Sequence, residues 1–302
     1  MRCLAIVVPM LLLGVACKSN DDPVGPDVPD PNDTTSTVGV RIGAAGNVVS
    51  CGMTNDEATA SLLDSVSTVF ALGDMVVGTA ADVYDRCYDP SWGRHKEKTY
   101  AVLGNHEYST GSASSTFSYF GTRAGPPDLG YYSVDVGDWH IIVLNDNANF
   151  VPYAAGSAQE AWLSTDLAAN TKPCTMALWH DPLFLSSNTA GFTVRPSRKS
   201  IWALLYAANV DVVLNGGQHH YERMMPMDPD GNVDEARGVR QFNVGTGGES
   251  VAEPTVAIHA NSAVRSATYG VLIMTLKANG YDWAFRAIPG QSFTDSGSGT
   301  CH

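Results

Sequence analysis

Four short apolar runs in this chain each end in side chains able to bind cations or move protons, three of them with glycine alongside. They are Leu72-Gly73-Asp74, Leu103-Gly104-Asn105-His106-Glu107, Leu178-Trp179-His180-Asp181-Pro182 and Leu214-Asn215-Gly216-Gly217-Gln218-His219-His220-Tyr221-Glu222-Arg223. This recurrence constrains the fold more than any other feature. In open α/β sheets, functional groups gather at the carboxyl ends of strands. Glycine beside a polar residue lets the backbone turn sharply and present it. Taken singly, each residue has an ordinary explanation: Asp74 as a helix cap, Asn105 as a turn residue, His180 as a core histidine bonded to a carbonyl. Taken together and in order, carboxylate, amide and imidazole groups form a metal-ligand inventory.

The segments between these clusters mix both kinds of periodicity. Strands are expected at 38–44, 69–72, 99–103, 175–179, 210–214 and 239–244, and two more within 131–144, joined at Gly137-Asp138. Apolar residues Ala58, Leu62, Leu63 and Val66 fall at helical spacing and predict a helix over 56–66. Ser157 and Glu160 form a capping box that starts a helix running to about Ala168, and a further helix is expected over 199–208. Runs at 270–276 and 281–288 flank Asn279-Gly280, a hairpin signal. The expectation is an α/β fold, a four-layer α/β/β/α sandwich of two mixed β-sheets flanked by helices. With 44% hydrophobic residues the chain has material for such a core.

The first residues read as a targeting segment. An apolar run from Leu4 to Val15 is too short to span a bilayer and fits a signal-peptide core. It ends at Leu13-Gly14-Val15-Ala16-Cys17, similar to a bacterial lipoprotein cleavage box, with Gly14 where a larger aliphatic residue is usual. Residues 18–37, rich in Pro and Asp with no aromatic residue, read as a disordered linker. The expected organisation is therefore a signal peptide at 1–17, a linker at 18–37 and one domain at 38–302. The expected location is the bacterial cell envelope, lipid-anchored through Cys17 or periplasmic to extracellular. Four cysteines remain in the domain, and in an exported chain they imply two disulfides with three possible pairings. One pairing joins Cys51 to Cys87, each of which follows a motif loop, and Cys174 to Cys301. The net charge of −13 disfavours nucleic acid as a partner, because the phosphate backbone would repel the chain.

The set Gly73-Asp74, Gly104-Asn105-His106-Glu107, Trp179-His180-Asp181-Pro182 and His219-His220-Tyr221-Glu222-Arg223 resembles, in order, the motifs of calcineurin-like metallophosphoesterases, nearest the purple acid phosphatase branch. The resemblance spans residues 43 to about 248. It implies a phosphoric ester hydrolase, a phosphomonoesterase or phosphodiesterase, acting on a small phosphate-ester substrate with two divalent or trivalent metal ions (Fe, Zn or Mn). By the same resemblance Asp74 bridges the metals, Asn105 and His180 bind one of them, and His219 binds the other. His106 is then the catalytic acid or a stabiliser of phosphoryl charge, Glu107 orients it from behind, and His220 touches the phosphate. Two cations about 3.5–4 Å apart clamp phosphate oxygens and bring a bound water's pKa towards neutrality, and an imidazole titrates in the right range to serve as acid.

The pattern breaks at defined places. Asn47, a neutral and weaker ligand, stands where the family has a metal-binding aspartate. Gly217 replaces the histidine two residues before His219, Val77 the tyrosine ligand of purple acid phosphatases, and Val49 a histidine of other branches. A single carboxylate is left to balance two dications. The expectation is weak or single-metal occupancy with reduced hydrolysis. The competing expectation is a binding protein of the envelope that kept the fold and lost the chemistry. His95 and His259 lack a motif and read as structural, Gly245-Thr246-Gly247-Gly248 reads as a tight loop beside the site, and the chain is expected to be a monomer.

Overall fold

The computed structural model describes residues 39–302, so the expected targeting segment and linker lie outside the described residues. Among the described residues, fifteen strands follow one another. The first five are β1 (Val40–Ala45), β2 (Val49–Ser50), β3 (Thr68–Leu72), β4 (Val76–Val77) and β5 (Thr99–Val102). Then come β6 (Tyr132–Val136), β7 (Trp139–Val143), β8 (Cys174–Leu178), β9 (Val212–Asn215) and β10 (Tyr221–Met224). The last are β11 (Arg240–Val244), β12 (Ser262–Ser266), β13 (Gly270–Lys277), β14 (Gly280–Ala287) and β15 (Ser296–Thr300). Among the same described residues, four α-helices interrupt them: α1 (Asn55–Ser61), α2 (Ser114–Phe120), α3 (Ala158–Ala169) and α4 (Lys199–Ala207).

Two mixed sheets carry the fold. The first runs β15-β14-β13-β1-β3-β5 and the second β12-β10-β11-β9-β8-β7-β6. In each, a parallel set is extended by antiparallel strands: β1, β3 and β5 are parallel at one edge of the first sheet, and β7, β8, β9 and β11 in the middle of the second. Side chains alternate across the pleat. In β7, Ile141 and Val143 face the core between the sheets, whereas Ile142 joins a second core with Leu163 of α3 and Ile201, Trp202 and Leu205 of α4. Buried on both faces, β7 and β8 read as mostly apolar runs, each interrupted by one buried polar residue, His140 and Thr175. The order of layers is helix, sheet, sheet, helix, as the sequence implies.

Local differences have local causes. The helix expected over 56–66 stops at Ser61, because the Lys98 ammonium donates to the carbonyls of Leu63 and Val66 and holds that stretch as turns. The hairpin between β13 and β14 turns at Ala278-Asn279, with Gly280 already paired to Lys277. The glycine is needed for a different reason: a Cβ on Gly280 would lie 2.5 Å from the Gly299 carbonyl oxygen of β15. Both disulfides, Cys51–Cys87 and Cys174–Cys301, are present, and the second ties the end of β15 to the start of β8.

Candidate metal centre

The parallel strands β1, β3, β5, β8 and β9 deliver the motif residues in the loops that follow them. Asn47 and Asp74 both adopt left-handed backbone, with φ of 52° and 50°. Such conformations are costly for residues with a Cβ and persist only where neighbours fix them. Here Asn47 N–H donates to the Gly73 carbonyl and Val48 N–H to the Asp74 carbonyl, binding the two loops together. Glu107 completes the restraint. Its carboxyl accepts the backbone N–H groups of Asp74 at 2.9 Å, Met75 at 2.8 Å and Gly104 at 2.7 Å. Orienting His106 from behind is therefore not the role its geometry gives; Glu107 shapes the loop that presents Asp74. Burial and the nearby Asp74 charge push Glu107 up to about 7.

His180 is 2% exposed, and its ring is held from both sides. Nδ1 lies 2.8 Å from the Leu72 carbonyl oxygen, which only accepts, so this nitrogen carries a proton. Nε2 lies 3.1 Å from Asp74 Oδ2. Two lone pairs would face each other there unless a cation or a second proton lies between them. Without a metal the proton is favoured: burial pulls the ring pKa down, but Asp74 outweighs it and raises His180 to about 10. Burial likewise works to raise Asp74, and the opposing imidazole holds it below its ordinary value. The remaining Asp74 oxygen, Oδ1, accepts the His106 backbone N–H at 2.8 Å, and the His106 ring stands 3.9 Å from Oδ2 with 36% of its side chain exposed. Gly104 leaves no room for a side chain, since a Cβ would sit 2.3 Å from Asp74 Oδ1.

The structure thus brings Asp74, His106 and His180 together, with Asn47 and Asn105 in the loops on either side. Asn105 is exposed at the start of the turn that carries His106. Asn47 is fully buried; its amide nitrogen donates to the Gly216 carbonyl at 2.9 Å, and its Oδ1 has no partner. A buried acceptor with no donor in reach has a lone pair that suits a cation. His219 faces Ser250 and Glu249 through Nδ1. His220 is 3% exposed and turned to Glu222, which corrects the expectation that it touches phosphate. His95 is buried with Nε2 at 2.9 Å from the Ala60 carbonyl, and His259 is buried as well.

The donor set fits a cation at the Asp74–His180 slot and is thin around it. Among the described residues, the trio of His, Cys, Asp or Glu atoms close enough to share an ion is Cys174, Asp211 and Cys301, whose sulfurs are committed to a disulfide. The place of a side chain on Gly217 is taken: a Cβ would lie 2.7 Å from Asp181 Oδ1. Asp181 belongs to a cluster the motifs did not reveal. Arg198 donates to Asp146 at 2.8 Å and to Asp181 at 3.1 Å, and Arg195 lies 3.3 Å from Asp181. Asp146 is buried, and burial with the Asp181 charge raises its pKa. Asp181 stood inside a quoted motif, but its partners come from other loops, so no local pattern disclosed them.

A family model described as calcineurin-like phosphoesterase matches residues 53–221. The chain belongs to the calcineurin-like phosphoesterase family. Purple acid phosphatase 15 of Arabidopsis thaliana is 27% identical over 229 residues, covering 64% of this chain and 42% of the relative. Purple acid phosphatase 1 of Ipomoea batatas is 26% identical over 245 residues, covering 69% of this chain and 50% of the relative. The matched stretch thus spans half or less of the length of these curated relatives. Among solved structures, the purple acid phosphatase from yellow lupin (Lupinus luteus) seeds superposes with a TM-score of 0.65 at 19% identity, over 86% of this chain and 53% of that one. The anchor in the inner membrane complex of Plasmodium gives a TM-score of 0.65 at 15% identity, over 87% of this chain and 89% of that one. These likenesses extend the phosphoesterase fold beyond the matched motifs to most of the described residues.

Proposed function

We propose that this calcineurin-like phosphoesterase hydrolyses small phosphate esters with the help of bound metal ions, as a phosphomonoesterase or phosphodiesterase. The observation that carries the reading is the His180 Nε2–Asp74 Oδ2 approach of 3.1 Å, with the other ring nitrogen already committed to Leu72. Cations of the family's kind (Fe, Zn or Mn), when bound by Asp74, His180, Asn105, His219 and Asn47, supply Lewis-acid clamping of phosphate oxygens and a water of lowered pKa. The protein's own part is clearer. Glu107 fixes Asp74, and Leu72 fixes the tautomer of His180. His106, anchored by its backbone to Asp74 Oδ1, turns a half-exposed imidazole into a recess it shares with Thr79, Thr110, Ser115 and Thr116. From there it protonates the leaving oxygen of an ester bound at the Asp74–His180 slot. Purified full-length chain, assayed on p-nitrophenyl phosphate and bis(p-nitrophenyl) phosphate with Mn, Zn or Fe, should show turnover that a chelator removes. Absence of metal-dependent turnover on any such ester sinks the reading.

A second reading keeps the fold and drops the chemistry. Asp181 fills the space beside Gly217, and Asn47 removes a charge, so a site with one weak cation or none would serve binding instead. Elemental analysis separates the two, because two firmly held metal ions per chain argue against it. We also infer export, with a lipid anchor on Cys17 or release into the periplasm or medium. The two disulfides support an oxidising compartment. Cys17→Ser should move the protein from the membrane fraction to the soluble one; an unchanged distribution refutes the anchor.

A further inference from the structure

Glu249 lies outside every motif, directly after the tight loop that follows β11. Its backbone N–H donates to the Asn47 carbonyl at 3.0 Å, which seats it on the residue that replaces the family's aspartate. Its side chain is 17% exposed, and Oε2 is buried without a hydrogen bond, 3.4 Å from His219 Nδ1. Nδ1 of His219 also lies 3.2 Å from the Ser250 carbonyl oxygen and 2.8 Å from Ser250 Oγ. The Ser250 carbonyl can only accept, so the neutral ring carries its proton on Nδ1, directed at Ser250, and keeps the lone pair on Nε2. No hydrogen bond engages His219 Nε2 among the described residues.

We propose that Glu249 is a positioning residue for a metal ion held at His219 Nε2, its buried carboxylate acting on the ring by charge across 3.4 Å while Ser250 holds Nδ1, and that it also returns the negative charge missing at Asn47. The inference rests on the metal-centre reading above. Its physical basis is that a carboxylate behind a ligating imidazole raises the basicity of the ligand nitrogen. Asn47 offers Oδ1 as a neutral donor, and Glu249, joined to it through the backbone, supplies charge to the same half of the site.

The test uses full-length protein stripped with EDTA and titrated with Mn²⁺ by calorimetry, with thermal melts in the presence and absence of Mn²⁺. Glu249→Gln preserves shape and removes charge. It should weaken Mn²⁺ binding on the order of 10–100-fold and shrink the Mn²⁺-dependent rise in melting temperature, with the metal-free melt unchanged. Asn47→Asp added to Glu249→Gln should recover affinity, because the charge returns at the position it left. A Glu249→Gln isotherm equal to the parent's overturns the assignment, as does a lowered metal-free melt with an unchanged isotherm. A parent that takes up no Mn²⁺, Zn²⁺ or Fe²⁺ fails differently: it removes the metal centre itself.

Discussion

Glu107 accepts the backbone N–H of Asp74 at 2.9 Å, so Asp74 is held in left-handed backbone by a carboxyl 33 residues away. The same carboxyl accepts from Met75 and Gly104. Glutamine offers one acceptor where glutamate offers two, and turns an NH₂ group on the remaining backbone donors. Glu107→Gln should therefore destabilise the fold by about 1–3 kcal/mol, the cost of leaving buried polar groups unpaired. Urea unfolding of the metal-free protein measures it. A variant as stable as the parent would show that the clamp contributes nothing.

His106 supports a separable expectation. Its ring is 3.9 Å from Asp74 Oδ2 and is tethered by the backbone, so truncation leaves the Asp74–His180 slot intact. His106→Ala should lower kcat by about 10²–10⁴-fold, the usual contribution of a proton-transferring group, with Mn²⁺ stoichiometry unchanged. The deficit should be smaller for p-nitrophenyl esters, whose leaving oxygen needs little protonation, than for alkyl phosphates. Equal deficits on both classes would mean that the ring does not act as the acid.

Gly217 shows why placing a histidine there is not a single step. Its Cβ position is 2.7 Å from Asp181 Oδ1 and 3.1 Å from the His180 carbonyl oxygen. Gly217→His alone should lose about 1–3 kcal/mol through overpacking and gain no metal affinity. Combined with Asp181→Ala, which clears the space, it should recover stability and tighten metal binding. Calorimetry and melting on the two variants decide this. Tight binding by Gly217→His alone would mean that Asp181 swings away freely despite Arg198.

What the sequence disclosed and what it hid follow from the range of each interaction. Strands β7 and β8 are apolar except at His140 and Thr175 because both faces are covered, and that pattern is local. The four motifs are local as well, which is why Asp74, His106 and His180 were visible as a set. β15 was not: it is Ser-Gly-Ser-Gly-Thr, with no strand propensity. It forms because Gly297 and Gly299 admit the Trp283 and Tyr281 rings of β14 and Cys301 anchors its end. Helix α2, made of Ser, Thr, Phe and Tyr, is held by Tyr84, which bonds Thr116 at 2.9 Å and stacks on Tyr119. Glu249, Asp146 and Arg198 escaped notice for the same reason. Their meaning lies in partners that the chain brings to them only once folded.

His140 gives a pH dependence away from the metal centre. Nε2 lies 2.8 Å from Asp166 Oδ2 and Nδ1 lies 2.9 Å from Asp135 Oδ1, linking β7 to α3 and β6. The Asp166 hydrogen bond raises the ring above its ordinary pKa, burial works against it, and Asp135 adds to the rise. Lys172, 3.6 Å from Asp135 Oδ2, and Ser133, bonded to Asp166 Oδ1, are the other groups that face the pair of carboxylates. A histidine whose folded pKa exceeds its unfolded one binds its proton more tightly when folded. Its stabilisation is complete below the unfolded value of about 6.5 and disappears as pH rises through the raised folded value. Asp166→Asn removes the main cause. The stability gap between parent and Asp166→Asn, from urea unfolding in metal-free buffer, should be largest near about pH 5 and narrow steadily towards about pH 9. A gap that stays constant across that range would mean that His140 is neutral in the folded protein, and that the two carboxylates are balanced by Lys172 and the Ser133 hydroxyl instead.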